Sequence, residues 1–215
     1  MEFTLWDILR NLLLAARWTV VLSLAGFLCG GLGGGLVLAV RLARAPALRL
    51  AAKLYIELFQ GTPLLMQLFL VFFGLPLLGV DVQPWLAAGV ALTLAASAYL
   101  AEIWRGCVQA IPAGQWDAAA SLGLHPWQQL RLVILPQALR IAVAPTVGFL
   151  VQLVKSTALT SIIGFNELVQ TANVINNATF ASFTVYSLLG LIYFALCYPL
   201  TAAARALERR LRPAH

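Results

Sequence analysis

The sequence predicts an all-α integral membrane protein with five transmembrane helices. Three observations carry this. Of the 215 residues, 61% are hydrophobic and only 10% are charged, against about 25% charged in soluble domains. Charge-free runs long enough to cross a bilayer recur along the chain. Its basic residues are distributed asymmetrically around those runs. The chain reads as one domain, residues 1–215, because no composition shift or linker divides it.

The spans follow in order. Trp18 to Val40, Leu58 to Val80 and Val82 to Ala101 each hold at least 20 residues without a charge, and about 20 helical residues reach the ~30 Å of hydrocarbon. Ile141 to Val154 is shorter, and its helix is expected to run past Lys155, giving a fourth span over 140–159. The fifth covers 180–204. Helices are required because lipid satisfies no backbone polar group. Ahead of the first span, "WDILRNLLLAAR" reads either as an amphipathic helix in the outer interface or as the first turns of span one. Met1, Glu2 and Phe3 supply no basic leader to a cleavable signal.

Five spans put the termini on opposite sides, and the positive-inside bias chooses which. With the C-terminus cytoplasmic, Arg41, Arg44, Arg49, Lys53, Arg105, Arg131, Arg140, Arg205, Arg209, Arg210 and Arg212 lie inside. These are eleven of the 14 basic residues; Arg10, Arg17 and Lys155 are left outside or at the outer edge. The net charge of +6 is therefore a topology signal, and no nucleic-acid partner is implied. Cys29, Cys107 and Cys197 have no metal or redox spacing and read as small core hydrophobes. His125 and His215 have no companion ligands. Phosphate-loop, zinc-protease and nucleophile-elbow motifs are absent, so no cofactor is expected on the chain and it is not expected to be an enzyme.

The longest cytoplasmic loop, residues 106–139, is built for rigidity. "AGQWDAAASL" is predicted to be a short helix favoured by its alanines, with Asp117 toward its positive end and Gly123 at its left-handed stop. Pro126 then opens a second helix, "PWQQLRLVILP", stopped by Pro136. Trp127, Leu130, Val133 and Ile134 form an apolar stripe, to be buried either on the protein's own helices or on a separate soluble protein.

Asp117-Ala118-Ala119, then Gly123, then Val133-Ile134-Leu135-Pro136 resembles the loop signature of ABC-importer permeases: E-A-A, three residues, G, nine residues, I-x-L-P. Asp117 stands for Glu and Val133 for Ile. "ELFQGTPLLMQLFLVFFGLP", "AEIWRG", "LVILPQALRIAVAP" and "LVKSTALTSIIGFNEL" are similar to the polar amino acid subfamily (histidine, glutamine, glutamate, arginine and opine). In that subfamily's second-helix signature an Arg is usual where Gln60 stands. The resemblance runs from about Leu12 to Arg205. It implies a type I ABC importer permease fold in the bacterial inner membrane, with an outer N-terminus. It also implies two cytoplasmic ATPase subunits carrying ATP and Mg, a second permease copy or paralogue, and an extracytoplasmic amino-acid-binding protein. The loop would dock on the ATPase, with Ala118, Ala119 and Gly123 allowing close approach and Asp117 orienting.

Polar residues within spans usually face a cavity or the bundle interior. Thr62, Gln67 and Glu167 are the candidates for the solute path. Gly61-Thr62-Pro63 is expected to break span two and free backbone groups. Each polar residue also has a local reading. Thr and Ser can bond back to their own helix, Lys155 can snorkel to the outer surface, and Glu57 and Glu102 can pair with Lys53 and Arg105. A self-sufficient channel or secondary transporter is the alternative function; it leaves the capped cytoplasmic hairpin without a purpose.

Overall fold

A computed structural model describes residues 4–43 and 45–211. Met1, Glu2, Phe3, Arg44, Arg212 and His215, invoked above, lie outside the described residues. The described residues contain helices and no strands. α1 spans Leu5–Arg41, α2 Pro46–Gly61 and α3 Leu64–Leu77. α4 follows over Pro84–Gln109 and α5 over Ala113–Ser121. α6 runs Pro126–Ile163, α7 Leu168–Thr179 and α8 Ser182–Leu211.

Four helices, α1, α4, α6 and α8, are long and apolar enough to cross a membrane. A fifth crossing is made if α2 and α3 act as one span, bent by 103° between Gly61 and Leu64. That break sits where the Gly-Thr-Pro triplet predicts it. The 37 residues of α1 form one helix from Leu5, so "WDILRNLLLAAR" is its opening turns. Thr4 and Asp7 close a capping box there: the Asp7 N–H donates to Thr4 Oγ1 at 3.2 Å and the Thr4 N–H to Asp7 Oδ2 at 3.1 Å.

The bundle is organised around a seam of small residues. Gly26, Gly30 and Gly34 of α1 face Leu92, Ala96 and Leu100 of α4. Both series ascend together, so the two helices run parallel and α2 with α3 must return the chain between them. A Cβ on Gly30 would overlap the Ala96 Cβ, and one on Gly34 would lie 3.0 Å from the Ser97 carbonyl oxygen. Ala87, Ala88, Ala91, Ala95 and Ala98 are buried along α4. The glycine cluster thus serves packing within the bundle, where close backbone approach replaces the hydrophobic drive that lipid does not provide. Ser97 also receives α2: its Oγ lies 2.6 Å from the Tyr55 hydroxyl. On the other side of the bundle, Ile8, Leu12, Ala15 and Ala16 of α1 pack with α7 and α8.

Two expectations are corrected. Pro136 does not stop a helix. α6 continues through it to Ile163 by way of a wide π-turn at Gln129–Ile134. Such turns shift the hydrogen-bond ladder by one residue, here next to a proline with no N–H to give. Gln137 Nε2 donates to the Val133 carbonyl at 2.8 Å in the same turn. Second, Cys29 is exposed, while Cys107 and Cys197 are buried.

Gly30→Ala should destabilise the detergent-solubilised protein by about 1–3 kcal/mol, the usual cost of overpacking. Gly31→Ala, whose Cβ would meet nothing nearer than 3.9 Å, should stay within roughly 0.5 kcal/mol of wild type. Thermal unfolding of the two variants side by side checks this.

Candidate functional site

Four candidate regions emerge: the broken span, the buried Glu167, the exposed loop hairpin and a groove between α6 and α8.

At the break, α2 ends with carbonyls that no following turn can satisfy. Gln67, on the first turn of α3, reaches back to them. Its Nε2 donates to Phe59 O at 2.8 Å, Thr62 O at 3.1 Å and Thr62 Oγ1 at 3.0 Å. Thr62 Oγ1 itself donates to Leu58 O at 2.7 Å. Gln67 is 9% exposed, and its Oε1 is buried with no partner. Sequence reasoning therefore chose two residues that the structure joins, in a clasp across the bend. Gln60 steadies the same element with a longer bond of 3.4 Å to the Ala98 carbonyl.

Glu167 is 0% exposed and stands at the N-terminus of α7. Its Oε1 accepts from the Gln170 N–H at 2.9 Å, as an N-cap does. Its Oε2 accepts from Thr19 Oγ1 on α1 and from the Tyr193 hydroxyl on α8, each at 3.3 Å. Thr19 Oγ1 accepts in turn from the Leu168 N–H at 3.2 Å. One carboxylate thus ties α1, α7 and α8 together, and none of these partners lies on the broken span. Thr19 and Tyr193 were missed by sequence reasoning. The signal was present, a hydroxyl inside an apolar run, but nothing in the sequence paired either with Glu167 over 148 and 26 residues.

Glu57 pairs with Lys53 at 3.5 Å, and Glu102 with Arg105, the local reading given above. Among the described residues no three His, Cys, Asp or Glu side chains gather as a metal would need.

The hairpin has an inner and an outer face. Trp116, Leu130, Val133 and Ile134 pack with Val108, Ile111 and Ala138, and Ala119 is buried beside them in the fold. Asp117, Ala118 and Gly123 are exposed. Leu122 is 79% exposed and Trp127 65%. So the expected apolar stripe divides: three of its members turn inward, and Trp127 does not. Asp117 is the fifth residue of α5, outside its first turn, where the helix dipole no longer acts strongly. Gly123 adopts φ +75°. The Leu124 N–H returns to Ala119 O at 3.3 Å and the Gly123 N–H to Ala120 O at 2.9 Å, which is a Schellman stop. A Cβ on Gly123 would meet nothing within 4 Å, so within this chain the glycine is required for conformation rather than for space.

Between α6 and α8 runs an open groove. Two recesses of about 770 and 750 Å³ share Lys155, Thr201 and Arg205. Pro145, Gly148 and Gln152 form part of one wall, Tyr193 and Cys197 part of the other.

Comparison with known proteins places this arrangement. Residues 31–213 match the family described as binding-protein-dependent transport system inner membrane component. The chain is 37% identical over 193 residues to the "Probable amino-acid ABC transporter permease protein YckA" of Bacillus subtilis (strain 168), covering 90% of this chain and 85% of that protein. It is also 37% identical over 209 residues to the "Probable glutamine ABC transporter permease protein GlnP" of the same organism, covering 96% and 93%. Among solved structures, "Crystal structure of an amino acid ABC transporter with histidines" superposes with a TM-score of 0.92 at 30% identity, over 98% of this chain and all of that one. The chain belongs to the binding-protein-dependent transport system inner membrane component family.

Thr19→Val should cost about 1–3 kcal/mol. It removes a donor to Glu167 and leaves the buried Leu168 N–H without an acceptor. Combined with Tyr193→Phe, the loss should be less than the sum, because both act on one carboxylate. A double-mutant cycle on thermal unfolding reads the coupling; strict additivity would separate the two hydroxyls.

Proposed function

We propose that this family member is the permease subunit of an ATP-driven importer of polar or charged amino acids, itself without catalytic activity. It forms the solute path with a second permease, copy or paralogue. It receives solute from an extracytoplasmic binding protein and is driven by two cytoplasmic ATPase subunits that hold ATP and Mg. The observation that carries this reading is the hairpin. A membrane bundle holds out a short helix, stopped by a Schellman turn, with Leu122 and Trp127 left exposed beside it. Exposed apolar side chains on a rigid protrusion suit a protein partner. The amino-acid permeases to which the chain is similar over nearly its whole length support the solute class.

Within the hairpin, Asp117, Ala118 and Gly123 are assigned to the partner-facing side. Ala119, buried in the chain's own fold, supports that side from behind. Thr62 and Gln67 shape the break in span two that borders the path, and Glu167 fixes the helices around it.

The coupling role is tested at Gly123. Asn tolerates a positive φ far better than a β-branched residue does. In liposomes holding the complete complex, Gly123→Asn should keep ATP-driven uptake within about threefold of wild type. Gly123→Val should lose roughly tenfold or more while the permease still inserts, because the strained stop costs about 1–2 kcal/mol and displaces Leu122. Wild-type uptake by Gly123→Val would remove the hairpin from the coupling path.

A further inference from the structure

Lys155 is placed in the sequence where a lysine could snorkel to the outer surface. The structure puts it elsewhere. It lines the α6–α8 groove together with Tyr193 and Cys197. Cys197 lies 15 residues after Ser182 and 14 before Leu211, the two ends of α8. At 1.5 Å per residue, that is about 21–23 Å from either end. The charge-free fifth span ends just before Arg205, so Cys197, eight residues earlier, lies about 12 Å inside the ~30 Å hydrocarbon core. A lysine stem cannot reach water from there along the outside of the protein.

Lys155 is exposed on its face and has no ion-pair or hydrogen-bond partner among the described residues. A cation at that depth needs an anion or water. Among the described residues the acidic side chains do not supply the anion. Glu57 and Glu102 are paired with Lys53 and Arg105. Glu167 is enclosed by Thr19, Gln170 and Tyr193, and Asp7 is held in the cap of α1. Asp81 lies between α3 and α4, and Asp117 lies on the hairpin. Glu208 stands at the far end of α8, beside Arg205 and Arg209. Glu2 lies outside the described residues.

We propose that the Lys155 ammonium, together with the polar wall of the α6–α8 groove, takes the carboxylate of the transported amino acid. The path therefore favours acidic and zwitterionic amino acids over cationic ones. The other charged groups on the groove, Arg205, Arg209 and Glu208, lie toward one end of α8 and leave the net charge of the groove positive. Gln152 offers an amide N–H along the wall, whereas the Tyr193 and Thr201 hydroxyls already donate to Glu167 and to the Cys197 carbonyl. This inference rests on the importer function proposed above and adds the charge of its solute and the residue that reads it.

The test uses the complete complex of permease, ATPase and binding protein in liposomes. ATP-driven uptake is measured for a panel of labelled L-amino acids that includes glutamate, glutamine and arginine. Wild type should carry glutamate or glutamine in preference to arginine. Lys155→Gln should lower maximal uptake per assembled complex roughly tenfold, the worth of one charge-assisted hydrogen bond, and Lys155→Arg should retain most of it. Full uptake by Lys155→Gln, or a wild type that prefers arginine, overturns this inference and leaves the importer function standing. Failed assembly of Lys155→Gln, with uptake per surviving complex unchanged, assigns the residue to the contact between permeases and likewise overturns it. A wild type that carries no amino acid overturns both readings.

Discussion

Backbone polar groups that lipid cannot satisfy govern this structure. An unbroken helix answers the demand by itself; every break needs a private solution. Four breaks among the described residues show such solutions. At Thr62-Pro63 the Gln67 amide collects the loose carbonyls of α2. At the start of α7 the Glu167 carboxylate takes the Gln170 N–H, and Thr19 takes that of Leu168. At Pro136 a π-turn lets the ladder slip past a residue with no donor. After Ser121 the Schellman bonds close α5. Thr62, Gln67 and Glu167 stand at these points because that is where the main chain is open.

This has a consequence for reading function from such residues. Gln67 and Glu167 stand out in the sequence because they are polar in an apolar setting, which suits a solute path. In the structure both are first of all backbone partners. The two roles are compatible where a side chain has capacity left. Gln67 Oε1 is buried without a partner, whereas both Glu167 oxygens already accept bonds. Lys155 is the opposite case. It supports no backbone group, and its position is explained by the groove rather than by the ladder.

Much of the architecture was legible in the sequence, because span length, the Gly-Thr-Pro break and the Gly123 stop are local properties. Gly123 follows from the need for positive φ at one position. The remainder was illegible because it depends on partners distant in sequence. Glu167 meets Thr19 across 148 residues, a pairing no local pattern encodes. Trp127 parts from Leu130, Val133 and Ile134 because those three lie within the π-turn, whose wider ladder shifts their faces. Lys155 looked peripheral because depth along the fourth span was judged from its own charge-free run; contact with the middle of α8 sets the true depth.

The corrected course of α6 joins the two ends of the proposed function. A separate hairpin helix stopped at Pro136 would have a joint between it and the fourth span, and a push on the loop could be absorbed there. Instead α6 runs from Pro126, beside the exposed Leu122 and Trp127, to Lys155 in the groove. The 29 residues between Pro126 and Lys155 span about 43 Å at 1.5 Å per residue. Its irregular places are Pro145 within the helix and the π-turn, which is buttressed by Ile134 against Val108 and Ile111. A displacement of the hairpin therefore moves the groove wall as one body with it, which is how packed elements transmit small shifts over long distances. On this reading Pro136 is a buttressed point within α6 rather than its end, and the length of the helix is what connects ATPase-driven motion to the solute path.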